Sequence, residues 1–300
     1  MTLAEALISL VLTLIVTSTA LALATPAMRA TLVQPEAMDV QQRARVAAET
    51  IARDLATAGI GIYVGTQAGL SIALPGVLPR RLGGTGDTPD IARADAITII
   101  NVPATSAQTT TAAAISPASQ TLSVNAAPNC GGAPLCGLTP GRDVLIANAA
   151  GVFDIFRITS VAGAVASLRL HGEQMVSTYP AGSHVTEVVS RTYALDAPTR
   201  ILRQYDGDLS DQPAADRISS LTFDYFGDDI GGAALVPIDR GSLADGPWIG
   251  AGSSRFDADL LRVRMVRVSV RAEASTPSLR ASAPDVVVRV DVAPRSMALR

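Results

Sequence analysis

The chain has 300 residues, 24 basic against 27 acidic, and a formal net charge of −3. Hydrophobic residues make up 48% and charged residues 17%, which is too apolar and too weakly charged for a disordered chain. Every basic residue is Arg, and an acidic chain without Lys clusters is a poor nucleic-acid binder, so no directly bound nucleic acid is expected. The 24 Gly and 18 Pro exclude a collagen-like or low-complexity protein. Two His and two Cys leave little material for a metal site or a His-centred active site, and neither a metal nor a cofactor is expected.

The first element is apolar. Residues 6–28 carry no charge, a run of 23 residues that forms a helix of roughly 35 Å at about 1.5 Å per residue. A bilayer core is roughly 30 Å thick, so the run is long enough to span it. No basic region precedes it, unlike the usual secretory signal peptide, and Arg29 follows the span, so flanking charge does not set its orientation. Glu5 stands at its very start. An ionisable group at the edge of a membrane span is costly and functional as a rule. The nearest cation is the N-terminal amine, awkwardly placed for pairing within one helix, so the amine of a neighbouring copy is the better partner. A plain single-pass anchor is the alternative.

Met1-Thr2-Leu3-Ala4-Glu5 followed by an apolar run resembles the N-terminal signal of type IV pilins and of type II secretion pseudopilins. The resemblance implies that Met1 is the mature first residue, cleaved from a leader and N-methylated by prepilin peptidase. It also implies that Glu5, with Thr2 and Leu3, guides assembly into the growing filament.

Past Arg29 the pattern becomes amphipathic. Val40, Ala44, Ala47, Ile51, Leu55 and Ala58 share one helix face, with Gln42, Arg45, Glu49 and Arg53 opposite. Arg45–Glu49 and Glu49–Arg53 are spaced as i,i+4 ion pairs. Gly59 and Gly61 end the helix. Pro26 and Pro35 are expected to kink or locally melt it, giving one long, broken helix with a membrane half (1–28) and an amphipathic half (29–59).

The remainder, 60–300, reads as β-rich. Strands are expected at 96–102, 120–125, 143–147, 153–161, 165–170, 185–195, 200–204, 218–226, 261–272 and 286–292. In Arg262–Arg271 the alternation changes parity after Met265-Val266, which indicates a bulge. Gly/Pro/Asp-rich stretches at 83–90, 205–216, 227–254 and 275–284 read as loops. The fold class is α+β: a pilin-like long N-terminal helix on an antiparallel sheet domain.

Four stretches narrow the resemblance. Gln42-Arg43-Ala44-Arg45-Val46-Ala47 with Ile51-Ala52-Arg53-Asp54-Leu55-Ala56-Thr57-Ala58-Gly59 is similar to the helix signature of PilW-type minor pilins and of their relative, the minor pseudopilin GspJ. Ser190–Leu195 with Ile201-Leu202-Arg203, and Ile218–Tyr225, are similar to a hairpin and a strand of that family. Val292–Arg300 is like its C-terminus, with Ser296 where Asn is usual. Residues 60–180 match no family pattern.

Cys130 and Cys136 flank a Gly-Gly…Pro loop. In an exported domain oxidation is permitted, so a structural disulfide is expected, with free thiols as the alternative. Candidate catalytic features are weak. The Asp206–Asp211 stretch lacks the closing Glu of a calcium loop. Asp228-Asp229 reads as a turn. His171 and His184 are isolated. Gly182-Ser183 and Gly252-Ser253 lack the surroundings of a nucleophile elbow. Gly83–Gly86 lacks the Lys-Ser/Thr of a phosphate loop. Trp248 reads as a core plug rather than an exposed contact.

The resemblance therefore implies a structural subunit rather than an enzyme: a minor pilin of type IV pilus assembly, held by a single span in the bacterial inner membrane with its domain in the periplasm, and in the pilus after assembly. Its implied partners are other minor and major pilins, prepilin peptidase and the inner-membrane assembly platform. A minor pseudopilin of type II secretion is the alternative, and a membrane-tethered periplasmic binding domain or enzyme is the alternative of another class.

Overall fold

The computed structural model describes residues 2–61, 74–82, 87–103, 108–126, 130, 132–148, 152–170, 177–206, 211–228, 234–249, 255–275 and 284–294. One helix, α1 (Leu3–Leu55), runs for 53 residues. It is unbroken across Pro26 and Pro35, where the sequence suggested an interruption. Each proline deletes one amide donor, and the ladder on either side carries the helix through. The six hydroxyls of the apolar half are satisfied within the helix. Ser9, Thr13, Thr17, Ser18, Thr19 and Thr25 each donate to a carbonyl three or four residues earlier. That back-bonding is what lets polar side chains sit in an apolar helix.

The helix ends in a turn that Gly59 makes possible. Gly59 has φ +72°, and its amide donates to Ile100 O at 2.8 Å, joining the helix end to the first sheet. A Cβ on the facing Gly76 would lie 2.5 Å from the Gly59 nitrogen, so this approach needs a glycine there.

The strands, in chain order, are β1 (Val77–Leu78), β2 (Ala96–Asn101), β3 (Gln108–Thr110), β4 (Thr121–Leu122), β5 (Asp143–Ala147), β6 (Phe153–Ala162), β7 (Val165–Leu170) and β8 (His184–Asp196). They continue as β9 (Ile201–Tyr205), β10 (Asp211–Ala215), β11 (Ile218–Asp228), β12 (Leu235–Ile238), β13 (Trp248–Ile249), β14 (Phe256–Asp257), β15 (Val263–Ala272) and β16 (Val286–Val292). All pairings are antiparallel. The long strand β8 organises the first sheet: its first half pairs with β5 and β3, its second half with β2 and β9. The second sheet has the order β12-β11-β15-β16, and β13 and β14 form a separate ribbon.

Three strands, β10, β12 and β13, occupy stretches the sequence assigned to loops, and the first two contain proline. β10 includes Pro213 and β12 includes Pro237; each pairs with one neighbour only. Proline lacks the amide for a central ladder but is tolerated on an edge, and its presence hid both strands. The bulge in β15 falls at Arg264, slightly ahead of the expected point. Phe226 faces Met265 and Gly227 faces Val263, which leaves Arg264 as the extra residue. The buried set changes phase there, with Val263 buried, then Val266, Val268 and Val270.

The core has two parts. In the larger, Val40, Ala44, Ala47, Ala48, Ile51, Leu55 and Ala58 of the helix region are fully buried against β15 and β16, in one cluster with Tyr193 of β8. This is the stripe expected from the period of α1. The smaller part lies within residues 115–185 and holds Ile115, Leu122, Leu135, Leu138, Phe156 and Tyr179, among others. Part of the stretch that matched no family pattern, from Ile115 onward, thus has a hydrophobic centre of its own, while its Val77, Ile97, Ile99, Leu145 and Phe153 belong to the larger core.

Candidate functional site: the N-terminal helix and its anchorage

The first turn of α1 is closed by a reciprocal cap. Glu5 N–H donates to Thr2 Oγ1 at 3.4 Å, and Thr2 N–H donates to Glu5 Oε2 at 2.8 Å. This is a capping box, and it sets a carboxylate beside the positive end of a helix dipole. Glu5 Oε1 makes no hydrogen bond among the described residues. The Thr-x-x-Glu spacing was legible in the sequence, and it adds to Thr2 a role the assembly motif does not describe. Met1 lies outside the described residues.

Leu3–Pro26 is long and apolar enough to cross a membrane, and none of it is buried against the protein. Leu3 is 83% exposed. Burial begins at Val33 and Ala37, which rest on the core, so the helix leaves the domain as a free apolar rod. Burying such a surface in lipid or against other apolar helices removes its cost in water.

Polar contacts fix the second half of α1 on the sheets. Arg43 donates to Ser275 Oγ at 2.8 Å, bonds Asp39 one turn away at 2.5 Å and approaches Asp216 at 3.5 Å. Glu36 accepts the Ser275 amide. Near the helix end, Asp54 accepts from Arg191 Nη1 and from Tyr193 Oη, each at 2.7 Å. The Asp54 carboxylate is only 13% exposed. Burial, together with the Asp54 hydrogen bond, pushes the Tyr193 phenol above its ordinary value. Burial opposes the charge of Arg191, and the Asp54 hydrogen bond together with the attraction of Asp54 and its neighbours more than offsets it, so its pKa is raised. Sequence reading placed Asp54 inside a family-like signature without a partner, because the partners lie 137 and 139 residues away. The Arg45–Glu49 and Glu49–Arg53 pairs expected on the outer face do not form among the described residues; such exposed pairs contribute little.

Cys130 and Cys136 are joined by a disulfide, with Cα atoms 4.3 Å apart. Cys136 itself lies in a short 3₁₀ turn, Pro134–Gly137, from which Leu135 enters the smaller core, followed by Leu138. Trp248 is half-buried rather than a core plug: the Arg255 guanidinium stacks on its ring at 4.6 Å, leaving one face of the indole covered by a cation. His184 opens β8, and Ser183 donates to Pro180 O in the preceding turn. His171, Asp229, Gly83–Gly86, Gly252-Ser253 and the centre of the Asp206–Asp211 stretch lie outside the described residues.

The whole, an apolar N-terminal helix followed by an antiparallel sheet domain, is pilin-like in shape. Comparisons with protein-family models, with curated proteins and with solved structures find no match to the chain.

Proposed function

We propose that this chain is a structural minor pilin of the PilW kind, anchored in the bacterial inner membrane and contributing to pilus assembly by helix packing with other pilins. The observation that carries the reading is the single helix α1, whose first 24 residues are apolar and unburied and whose second half is built into the domain core. Such a helix has one use for its free half, to lie in lipid and then against other helices of its kind. The capping box gives Glu5 a role in both settings. Oε2 stays with the Thr2 amide, and Oε1 is left for the N-terminal amine of an adjacent subunit. In surroundings of low dielectric that pairing is strong enough to set register.

Glu5→Gln separates these roles. The amide oxygen of Gln still accepts from Thr2, so the cap survives and only the charge is lost. Expressed in a strain lacking the native gene, the variant should reach normal membrane levels, keep the melting temperature of the sheet domain and be missing from sheared filaments. Incorporation at the parent level would reduce Glu5 to a helix cap and the segment to a simple anchor.

A further inference from the structure

The outer face of the second sheet carries a groove that helix docking does not use. Register sets Ser220, Arg271 and Val287 in one row across β11, β15 and β16, with Thr222, Ser269 and Arg289 in the next. A third row holds Asp224, Arg267 and Asp291. Strand alternation puts these on the face opposite Val266, Val268 and Val270, which are fully buried toward α1. A groove of about 390 Å³ lies over this platform.

The charges of the platform are only partly matched. Arg267 is held by both oxygens of Asp291, at 2.7 and 2.8 Å, and Asp224 is approached by Arg240 at 3.5 Å. Both carboxylates are thereby engaged; the Arg267 hydrogen bond holds Asp291 below the usual carboxylate range. Arg271 and Arg289 have no side-chain hydrogen bond or ion pair among the described residues, and the hydroxyls of Ser220, Thr222 and Ser269 between them have none either. Arg271 faces Val287, two residues from Arg289, so the two arginines are diagonal neighbours about 7–8 Å apart at their backbones. Two long cationic side chains at that spacing repel each other, and both line the same groove.

We infer that this groove binds a tetrahedral oxyanion of the phosphate or sulfate class. Arg271 and Arg289 grip it from two sides, and the three hydroxyls donate to its remaining oxygens. The planar fork of guanidinium suits such a group, and each contact is a charge-assisted hydrogen bond. The groove lies on an outer face and reaches β16, the end strand of the sheet order, so the anion can be free or borne on a larger molecule.

The test uses the full chain in a neutral detergent at fixed, physiological ionic strength, with titration calorimetry against sodium pyrophosphate and, separately, dextran sulfate. Binding is expected, with Arg271→Gln and Arg289→Gln each weakening it about tenfold, as loss of one charge-assisted contact does. The double variant should abolish it. Arg262→Gln, which removes an exposed arginine tied to Asp259 away from the groove, should bind as the parent does. Melting temperatures should stay with the parent in all four, because none of these side chains enters the core. Binding of dextran sulfate alone, lost in the double variant, would assign the anion to a polymer and uphold the site. Undiminished binding by the double variant, or no binding of either probe, would overturn it.

Discussion

Asp54 illustrates how a single carboxylate ties the long N-terminal helix to its domain. It accepts two hydrogen bonds from β8, one from a cation and one from a buried phenol, and water reaches little of it. Asp54→Asn removes the charge that Arg191 requires and should destabilise the domain by about 1–3 kcal/mol, the range for losing a hydrogen bond to a charged group. Glu49→Gln on the exposed face of the same helix should change stability by less than about 0.5 kcal/mol, since no ion pair is lost there. Denaturant unfolding of the two variants in detergent measures the difference directly. Equal effects would place the stabilisation in helix propensity rather than in the Asp54 contacts. Glu5 is the opposite case, a carboxylate that makes contacts only within its own first turn and leaves the domain untouched.

The elements divide labour in a comparable way. α1 supplies the stripe that closes the larger core, while β3 to β7 with the first half of β8 enclose a second core of their own. The Cys130–Cys136 bond belongs to this second unit, because Leu135 within its loop and Leu138 just after it are buried there. Closing so short a loop contributes about 2 kcal/mol in the chain-entropy model. Replacing both cysteines by Ser should therefore loosen the lobe and spare the helix-sheet unit. Hydrogen exchange reads this locally: β5 and β6 should lose protection, and residues 40–55 of α1 should keep theirs. Uniform loss across both units would mean that the two cores unfold together.

At the scale of the whole molecule, α1 is one continuous rod shared between two environments. None of Leu3–Pro26 is buried against the domain, and contact with the core starts at Val33. A chain beginning at residue 29 should therefore stay in solution without detergent and melt within about 2 °C of the full chain, since it loses no packed contact. Circular dichroism should show the strand content unchanged and the helical signal reduced. Aggregation or a collapsed melting temperature would show that the apolar half supports the fold. The two faces of the second sheet differ: the inner face is apolar and takes the helix, and the outer face carries the arginines.

Local periodicity was sufficient for much of this. The stripe from Val40 to Ala58 and strands such as 165–170 and 286–292 are legible because each buries one face, and burial imposes a period of 3.6 or 2 on the residues themselves; the runs at 6–28 and 143–147 are legible instead as unbroken apolar stretches, the first unburied and the second buried throughout. The proline-bearing edges β10 and β12 were not legible, because an edge strand needs only one bonded side and its sequence carries no such period. Nor were the partners of Asp54, the second core or the pairing of Arg271 with Arg289 across two strands. Those are decided by register between segments far apart in the chain, and register is set by how whole sheets pack.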